Sequence, residues 1–478
     1  MPVRPLPSST PAAQGVDATG VLAFLDAVDA APAIEPHSLM ILRHGHLVAS
    51  GWWAPYTPER PQLLYSISKS FTATAAGMAA AEGLIRLDDP VISYFPEFEA
   101  HITDPRSRAM LVRHVASMAS GHESDTVSEA RRRDREDLVR GFLLVPPDRD
   151  PGTVFAYNQP ATFTLSAIVQ RVSGQSLTEY LRPRLLDPLG IGDIAWLTDR
   201  SGRELGFSGL HATTDAIAKL GQLYLRGGVW EGERLLPEWW VAEATRPQIP
   251  NEGVMPGDDW QHGYGFKFWM SRHGYRGDGA FGQFCVVLPE HDAVIATTAD
   301  TWDMQALLNL VWKHLLPAFG PAPRTGGEAA DAALARRLAG LALPPAAGES
   351  VPPGRAETWS AAAFTPDGGV CEPLPKLTAI DLATDGDGWA LTLTEGGHPL
   401  VVRFGDAGWT VTEEPVPTAV SGGWADADTL VVDVAFLETP HHLDVTCSLK
   451  DRTFTARWRT DPLHGLPLRA MRAPRASG

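Results

Sequence analysis

The residues of this sequence with the clearest chemical potential are a serine and a lysine three positions apart, Ser66 and Lys69. Positions i and i+3 share one face of a helix, so the hydroxyl and the amine can meet. A bare hydroxyl is a poor nucleophile, and an adjacent base that takes its proton activates it. Lysine becomes such a base when burial disfavours its charged form. The pair therefore predicts nucleophilic catalysis by Ser66, with Lys69 as the base.

The segment that follows this pair predicts the burial that Lys69 needs. Residues 71–82 are rich in Ala, Gly and Thr, which gives a helix that other elements can approach closely. The simpler alternative is a buried helix that happens to carry Ser and Lys near its start. Lysine occurs six times in the chain, and only Lys69 has a serine three residues before it. That scarcity favours the catalytic interpretation.

Length and composition exclude several classes of protein. A chain of 478 residues predicts two or three domains. Its net charge of −17 argues against binding to nucleic acid or to an anionic membrane. The three cysteines have no close spacing, so neither a disulfide framework nor a cysteine-based zinc site is expected. No cofactor and no metal are expected, and the absence of an apolar leader favours a cytoplasmic protein.

The first two thirds of the chain predict an α+β domain over residues 15–320. A helix at 17–30 precedes a hairpin at 38–53, and residues 91–210 show helical periods without strand alternation. Strands are predicted at 264–269, 280–288 and 293–298, and a closing helix at 304–316. This order indicates an antiparallel sheet flanked by helices, with an all-helical lobe at about 91–210 inserted into it.

The segments before and after this domain differ from it in composition. Residues 1–14 are Pro- and Ser-rich and are expected to be disordered, and residues 321–354 are interpreted as a linker. Residues 355–478 alternate as short strands, which predicts a separable barrel or sandwich without catalytic groups. His441 and His442 are adjacent in one such strand and point to opposite faces, so we interpret them as unrelated.

Three further motifs accompany the Ser66–Lys69 pair in a fixed order. They are the segment 151–158, which ends in Tyr157-Asn158, the segment 111–121 (LVRHVASMASG), and Pro188-Leu189-Gly190. Together they resemble the serine β-lactamase and penicillin-binding-protein superfamily over residues 15–320. The pattern is most similar to class C-like esterases, D-amino-acid peptidases and aminohexanoate-oligomer hydrolases. The resemblance implies an antiparallel sheet with helices on both faces, an all-helical lobe, and a lipocalin-like C-terminal module.

The same resemblance assigns roles at the reacting carbonyl. Tyr157 is implied as the partner of Lys69 in the base pair, and a neighbouring ammonium would favour its phenolate. It is also implied to protonate the leaving group. The oxyanion is implied to bind the backbone N–H groups of Ser66 and Ala280, and such donors typically stabilise a transition state by about 3–4 kcal/mol each.

Two departures from the family pattern leave alternatives open. The asparagine falls directly after Tyr157, so either Asn158 or Gln159 is the expected substrate-binding amide. The third motif corresponds to residues 277–279, Gly-Asp-Gly, in which Asp278 and Gly279 are expected at the substrate and the family's cation is missing. Arg276 or His273 is a candidate to replace that cation, which in the family holds a substrate carboxylate.

The predicted function is hydrolysis of a small ester, amide or peptide through a Ser66 acyl-enzyme. The alternatives are a peptidyl transferase or cyclase of the penicillin-binding-protein type, a D-amino-acid peptidase, and a catalytically silent binding or sensor protein. Neither a Gly-x-Ser-x-Gly elbow nor a His-Glu-x-x-His motif is present. The sequence leaves the substrate and the oligomeric state open.

Overall fold

The computed structural model describes residues 4–354, 356–405 and 408–475, and its elements form an α+β domain followed by a β-barrel. The helices are α1 (Ala18–Asp29), α2 (Ser68–Ala81), α3 (Pro105–Ala109), α4 (Val112–Ala116), α5 (Val127–Arg133), α6 (Leu138–Leu143), α7 (Gln159–Ser173), α8 (Leu177–Leu181), α9 (Asp187–Leu189), α10 (Thr214–Leu225), α11 (Glu238–Ala244), α12 (Met304–Leu310), α13 (Glu328–Ala339) and α14 (Ala356–Trp359).

The strands fall into two large sheets and two small ones. They are β1 (Glu35–Arg43), β2 (His46–Trp52), β3 (Gln62–Leu63), β4 (Ala195–Trp196), β5 (Leu210–Ala212), β6 (Val229–Trp230), β7 (Glu233–Arg234), β8 (Trp269–Met270), β9 (Tyr275–Gly279), β10 (Gln283–Leu288), β11 (Ala293–Asp300), β12 (Ala362–Pro366), β13 (Leu377–Asp385), β14 (Gly388–Glu395), β15 (His398–Phe404), β16 (Thr410–Thr412), β17 (Thr418–Trp424), β18 (Thr429–Phe436), β19 (His442–Ser448) and β20 (Thr453–Trp458).

The first domain is built on a six-stranded antiparallel sheet in the order β2-β1-β11-β10-β9-β8. Helix α10 packs across β1, β10 and β11. Helix α1 packs against β1 and against α12. On α10, a side chain at Gly221 would collide with Cys285 and Val294, so glycine is needed there for close packing. The helices and loops between α2 and β5 form the predicted helical lobe.

The last strands of this sheet differ from the prediction. Residues 264–268 are not a strand, because Lys267 has a left-handed φ of 64° and the N–H of Gly265 bonds back to the carbonyl of Phe268. The strand beside β10 is instead β9, which pairs Gly279 with Gln283. Its glycine-rich sequence has low β propensity, so neither alternation nor residue preference predicts a strand there.

The C-terminal domain is a nine-stranded sheet in the order β15-β14-β13-β12-β20-β19-β18-β17-β16. Strands β12 and β20 pair in parallel, and the other neighbours pair antiparallel. The ends of the sheet approach each other, since β15 packs against β16 and β17. The domain is therefore an almost closed barrel rather than a sandwich, with a separate apolar core around Trp359 and Trp424. The domain boundary near residue 355 stays a prediction.

The segments expected to be disordered or loosely linking are packed on the first domain. Residues 7–9 exchange backbone hydrogen bonds with Leu47 of β2 at 2.7 and 3.1 Å, and Leu6 is buried. Helix α13, inside the presumed linker, lies against β2, where Gly51 leaves room for the side chains of Leu338 and Leu341. The proline- and alanine-rich composition of these segments suggested mobility, but their few apolar side chains are enough to fix them.

The barrel docks beside the segment that leads to Ser66. The N–H of Leu63 in β3 donates to the carbonyl of Glu438 at 2.9 Å. A buried ion-pair cluster lies between the domains, in which Glu35 of β1 meets His442 and Arg459 of the barrel. In the described part of the chain, no helix combines the length and hydropathy needed to cross a bilayer.

Candidate active site

The predicted nucleophile and base lie together at the start of α2. Ser66 occupies a 3-10 turn, Tyr65–Ile67, immediately before the helix, and Lys69 is in the first helical turn. The Nζ of Lys69 lies 2.8 Å from the Oγ of Ser66 and 2.7 Å from the carbonyl oxygen of Phe207. The contacts with the Ser66 hydroxyl and the Phe207 carbonyl thus fix the orientation of the Lys69 amine toward the serine.

Burial gives Lys69 the protonation behaviour of a base. Its side chain is 1% exposed. Burial lowers the pKa of Lys69 to about 7, while the carboxylates of Asp125 and Asp278 oppose this shift. Desolvation disfavours an ammonium, and the two carboxylates only partly compensate. At neutral pH, about half of the Lys69 amines are therefore free to accept the Ser66 proton.

Tyr157 completes the cluster, but as a neutral phenol. The Lys69 Nζ lies 4.6 Å from the centre of the Tyr157 ring, which also stacks on Trp269. Burial raises the pKa of Tyr157 well above its usual value, although contacts with the Ser66 and Trp269 side chains oppose the rise. Burial therefore favours the neutral phenol over the expected phenolate, and Lys69 is the group whose pKa suits a base.

The strand that carries the third motif approaches the nucleophile closely. An added Cβ at Gly279 would lie 2.3 Å from the carbonyl oxygen of Leu64, so only glycine fits at this position. This close approach places Ala280, directly after Gly279, beside the turn that holds Ser66. The assignment of the oxyanion hole to the backbone N–H groups of Ser66 and Ala280 stays a prediction.

The structure separates the two candidate amides. Asn158 is fully buried, and its Oδ1 accepts hydrogen bonds of 3.0 Å from the backbone N–H and the hydroxyl of Thr126. Its expected role in substrate binding is therefore wrong, because it joins two segments of the helical lobe. Gln159 lines the same cavity as Ser66. Of the two amides, Gln159 is thus the one that faces the cavity, and its role in substrate binding stays a prediction.

The cavity at Ser66 has a volume of about 270 Å³. Its lining combines the nucleophile, charged and amide groups of the helical lobe, and residues of the C-terminal domain. The lining residues are Tyr65, Ser66, Asp125, Val127, Arg131, Gln159, Phe207, Ser208, Leu463 and His464. The Nε2 of His464 lies 2.8 Å from the Oγ of Ser208, so the barrel contributes directly to the wall of the cavity. The C-terminal domain thus lines the cavity, while the prediction that it carries no catalytic group stays a prediction.

Comparison with known proteins identifies the family to which this geometry belongs. Residues 24–310, more than half of the chain, match the family model described as Beta-lactamase. The chain belongs to the β-lactamase family. It is 28% identical to the 6-aminohexanoate-dimer hydrolase of Paenarthrobacter ureafaciens over 278 residues, 54% of this chain and 71% of that protein. It is 26% identical to the esterase EstB of Burkholderia gladioli over 40% of this chain and 55% of that one.

Solved structures show the same fold. A putative 6-aminohexanoate-dimer hydrolase from Bacillus anthracis superposes with a TM-score of 0.53 at 20% identity, over 65% of this chain and 87% of that one. The structure of SurE matches 87% of this chain and 93% of its own, with a TM-score of 0.51 and 19% identity. The second match extends beyond the β-lactamase domain, so the fused barrel also has a structural precedent.

The third motif of this family member lacks an available cation. Arg276 is fully buried on β9, where its Nε bonds Asp278 at 2.9 Å and its guanidinium lies 4.4 Å from the centre of the Trp260 ring. His273 is exposed, packs on Trp312 and is not among the residues that line the cavity at Ser66. Neither residue replaces the missing cation at the substrate. Asp278, expected to bind substrate, is instead the buried partner of Arg276.

Several residues near the site carried no signal in the sequence. Asp125 and His464 line the cavity, and Lys267, itself buried, donates to the carbonyl of Val115 at 2.6 Å. Burial and the charge of Lys69 lower the pKa of Lys267 far below its usual value. None of these residues belongs to a recognisable motif, since they come from loops whose position depends on the tertiary fold.

Proposed function

We propose that this protein hydrolyses a small ester or amide through an acyl-enzyme formed on Ser66. The observation that carries the proposal is the 2.8 Å contact between Ser66 Oγ and Lys69 Nζ, with the pKa of Lys69 lowered to about 7 by burial. A nucleophile within hydrogen-bond reach of a base that titrates near neutrality is the arrangement that covalent acyl transfer needs.

In the first step, the neutral Lys69 amine takes the hydroxyl proton of Ser66 as Oγ attacks the substrate carbonyl. The carbonyl oxygen gains negative charge and accepts hydrogen bonds from the N–H groups of Ser66 and Ala280. Lys69 is now an ammonium held by the carbonyl of Phe207, and Asp125 and Asp278 favour this charged state. Those carboxylates thus stabilise the charge that develops on the base.

In the second step, the tetrahedral intermediate collapses and the bond to the leaving group breaks. The Lys69 ammonium returns its proton to the leaving oxygen or nitrogen, with the neutral Tyr157 hydroxyl as the relay on the side of Trp269. Water then attacks the acyl-enzyme by the same route, with Lys69 again as the base. Ser66 recovers its proton, and the carboxylic acid leaves.

The size of the cavity and the third motif favour a small substrate without a free carboxylate. Its volume of about 270 Å³ lies near the lower end of ligand pockets. Gly277 carries no cation, and the neighbouring Arg276 is enclosed and paired with Asp278. A β-lactam or a peptide that ends in a carboxylate would lack the family's cation at the third motif, and the arginine that lines the cavity, Arg131, comes from the helical lobe instead. We therefore propose simple esters and amides ahead of β-lactams.

Covalent labelling tests the proposal without knowledge of the natural substrate. The purified protein is treated with a fluorophosphonate, and the adduct is located by mass spectrometry. We expect a single adduct on Ser66 that is lost in Ser66→Ala and retained in Ser68→Ala, a matched control on the same helix whose hydroxyl accepts from the N–H of Leu210. An adduct on another serine would refute the mechanism.

The substrate class is tested with a panel of chromogenic esters, D-aminoacyl amides and a cephalosporin. Each substrate is assayed with and without an added amine, because an acyl transferase would pass the acyl group to the amine rather than to water. We expect turnover of the esters and release of free acid in both conditions. Predominant formation of the amide product would favour the transferase alternative instead.

A further inference from the structure

Two residues in left-handed backbone conformations flank the two N–H donors of the oxyanion hole. Tyr65 precedes Ser66 and has a φ of 46°, and Phe281 follows Ala280 and has a φ of 68°. Such angles are uncommon for bulky residues and persist where the surroundings enforce them. The peptide that carries the Ser66 N–H joins it to Tyr65, so any relaxation of Tyr65 turns this donor. Phe281 fixes the chain in the same way on the far side of Ala280.

The rings of these two residues pack on each other, and both contact His441 of the C-terminal domain, while the His464 ring also stacks on Tyr65 at 5.7 Å. The Tyr65 and Phe281 ring centres are 5.1 Å apart in an edge-to-face arrangement. The ring of His441 is 5.7 Å from that of Tyr65 and 5.0 Å from that of Phe281. Leu63, Tyr65 and Phe281 form a small apolar cluster separate from the two main cores. The C-terminal domain therefore supplies His441, the histidine ring that contacts both Tyr65 and Phe281.

Hydrogen bonds fix the orientation of His441. Its Nδ1 lies 3.0 Å from the carbonyl oxygen of Thr460, which can only accept, so Nδ1 carries the proton. Nε2 is then an acceptor, and the Tyr65 hydroxyl donates to it. Burial lowers the pKa of His441 to about 3, which keeps the ring neutral and this tautomer in place. The Thr460 hydroxyl in turn bonds Asp300 at the end of β11.

We propose that His441 is a positioning residue for the oxyanion hole, which holds Tyr65 and Phe281 in their left-handed conformations from the neighbouring domain. The inference rests on the proposed function, since it assigns a role in the same acyl transfer. His441 does not touch the reacting atoms. It acts through the backbone of the two residues beside the donors, so its loss should weaken transition-state binding more than substrate binding.

The test compares His441→Ala with the wild-type protein in two assays, ester hydrolysis and the rate of fluorophosphonate labelling at Ser66. We expect kcat to fall roughly 10- to 100-fold, less than the loss of a whole oxyanion-hole donor, with KM nearly unchanged. The labelling rate should fall by a similar factor. His441→Gln can accept from Tyr65 and donate to Thr460, so it should recover a large part of both rates.

A control variant distinguishes the positioning role of His441 from a general effect of weakened docking between the two domains. Arg60→Ala removes an interdomain ion pair with Glu413 at 2.7 Å and leaves the aromatic cluster intact. It should leave both rates within about twofold of wild type, because partly exposed ion pairs contribute little. Equal losses in Arg60→Ala and His441→Ala would overturn the proposal, as would unchanged rates in a folded His441→Ala.

Two further variants keep the test decisive if His441→Ala does not fold. Tyr65→Phe and His441→Phe keep the ring volume and remove the hydrogen bond between them, and both should lower kcat without a matching rise in KM. Wild-type rates in both would overturn the inference. Failure of the proposed function has a different signature, since the wild-type protein would then carry its label on a serine other than Ser66.

Discussion

The protonation of Lys69 gives the most direct quantitative test of the site. An ordinary lysine, with a pKa of about 10.4, is neutral in roughly one molecule in 2,500 at pH 7. Burial lowers the pKa of Lys69 to about 7, so about half of the molecules carry the neutral amine at that pH. The difference corresponds to about 5 kcal/mol in favour of the neutral form. The neutral amine of Lys69 is thus available as a base at neutral pH.

The sign of the pH dependence follows from the role of the amine. A base must be neutral to accept the Ser66 proton, so kcat/KM should rise with pH and level off above the pKa of Lys69. With a pKa of about 7, the rate at pH 6 should be about one tenth of the plateau, and the rate at pH 8 about nine tenths. An unperturbed lysine would instead give a rate that rises about tenfold per pH unit up to about pH 10.

The assay is the hydrolysis of a chromogenic acetate ester between pH 5.5 and 9.5, with the rate of the Ser66→Ala variant subtracted at each pH. Lys69→Arg should lose at least about 10³-fold in kcat, because a guanidinium does not release its proton. Asp125→Asn removes a carboxylate that raises the pKa of Lys69, so the rise should move to lower pH. A profile that is flat, or that climbs steadily beyond pH 9, would refute the assignment of Lys69 as the base.

Three further predictions concern the walls of the site. Gly279→Ala should reduce nucleophile labelling by at least about tenfold in a protein that still folds, because the new Cβ would lie 2.3 Å from the Leu64 carbonyl oxygen and must displace β9; wild-type labelling would show that this approach is not needed. Asn158→Ala should lower the melting temperature, since its two bonds inside the helical lobe are lost. Its matched partner Gln159→Ala should instead raise KM at unchanged stability, and the reverse pattern would contradict the placement of the two amides. Finally, kcat/KM for a short acyl ester should exceed that for a cephalosporin, and a faster cephalosporin would restore the third motif as a carboxylate site.

Sequence patterns predicted the features that depend on residues close together in the chain. The Ser66–Lys69 pair shares a helix start, so its geometry follows from spacing alone, and the order of the motifs predicted the β-lactamase domain. The alternation after residue 377 predicted an all-β domain. Periodicity did not predict strand β9, because Gly277 and Gly279 are selected by close contact rather than by β propensity. Only the resemblance to the family placed residues 277–279 on a strand beside the nucleophile.

The protonation states and the domain contacts depended on information that spacing does not carry. The resemblance to the family suggested a phenolate at Tyr157, whereas the burial of the ring keeps the phenol neutral. The adjacent amides Asn158 and Gln159 were indistinguishable until the fold turned one inward and the other toward the cavity. Burial and long-range contacts decide each of these points, and both depend on segments far apart in the sequence.

The adjacent residues His441 and His442 link the docking of the C-terminal domain to the position of Tyr65 beside Ser66. Burial by itself lowers the pKa of His442, but the carboxylates of Glu35 and Asp433 outweigh it and raise the pKa to about 10. His442 is therefore protonated and joins Arg459 as the second cation of the buried cluster. Buried ion pairs contribute little net stability, but they fix a unique register when only one docking satisfies every charge. Because adjacent residues near a strand point in opposite directions, the register that seats His442 against β1 also turns His441 toward Tyr65. The two histidines have different partners, yet the position of one determines the position of the other.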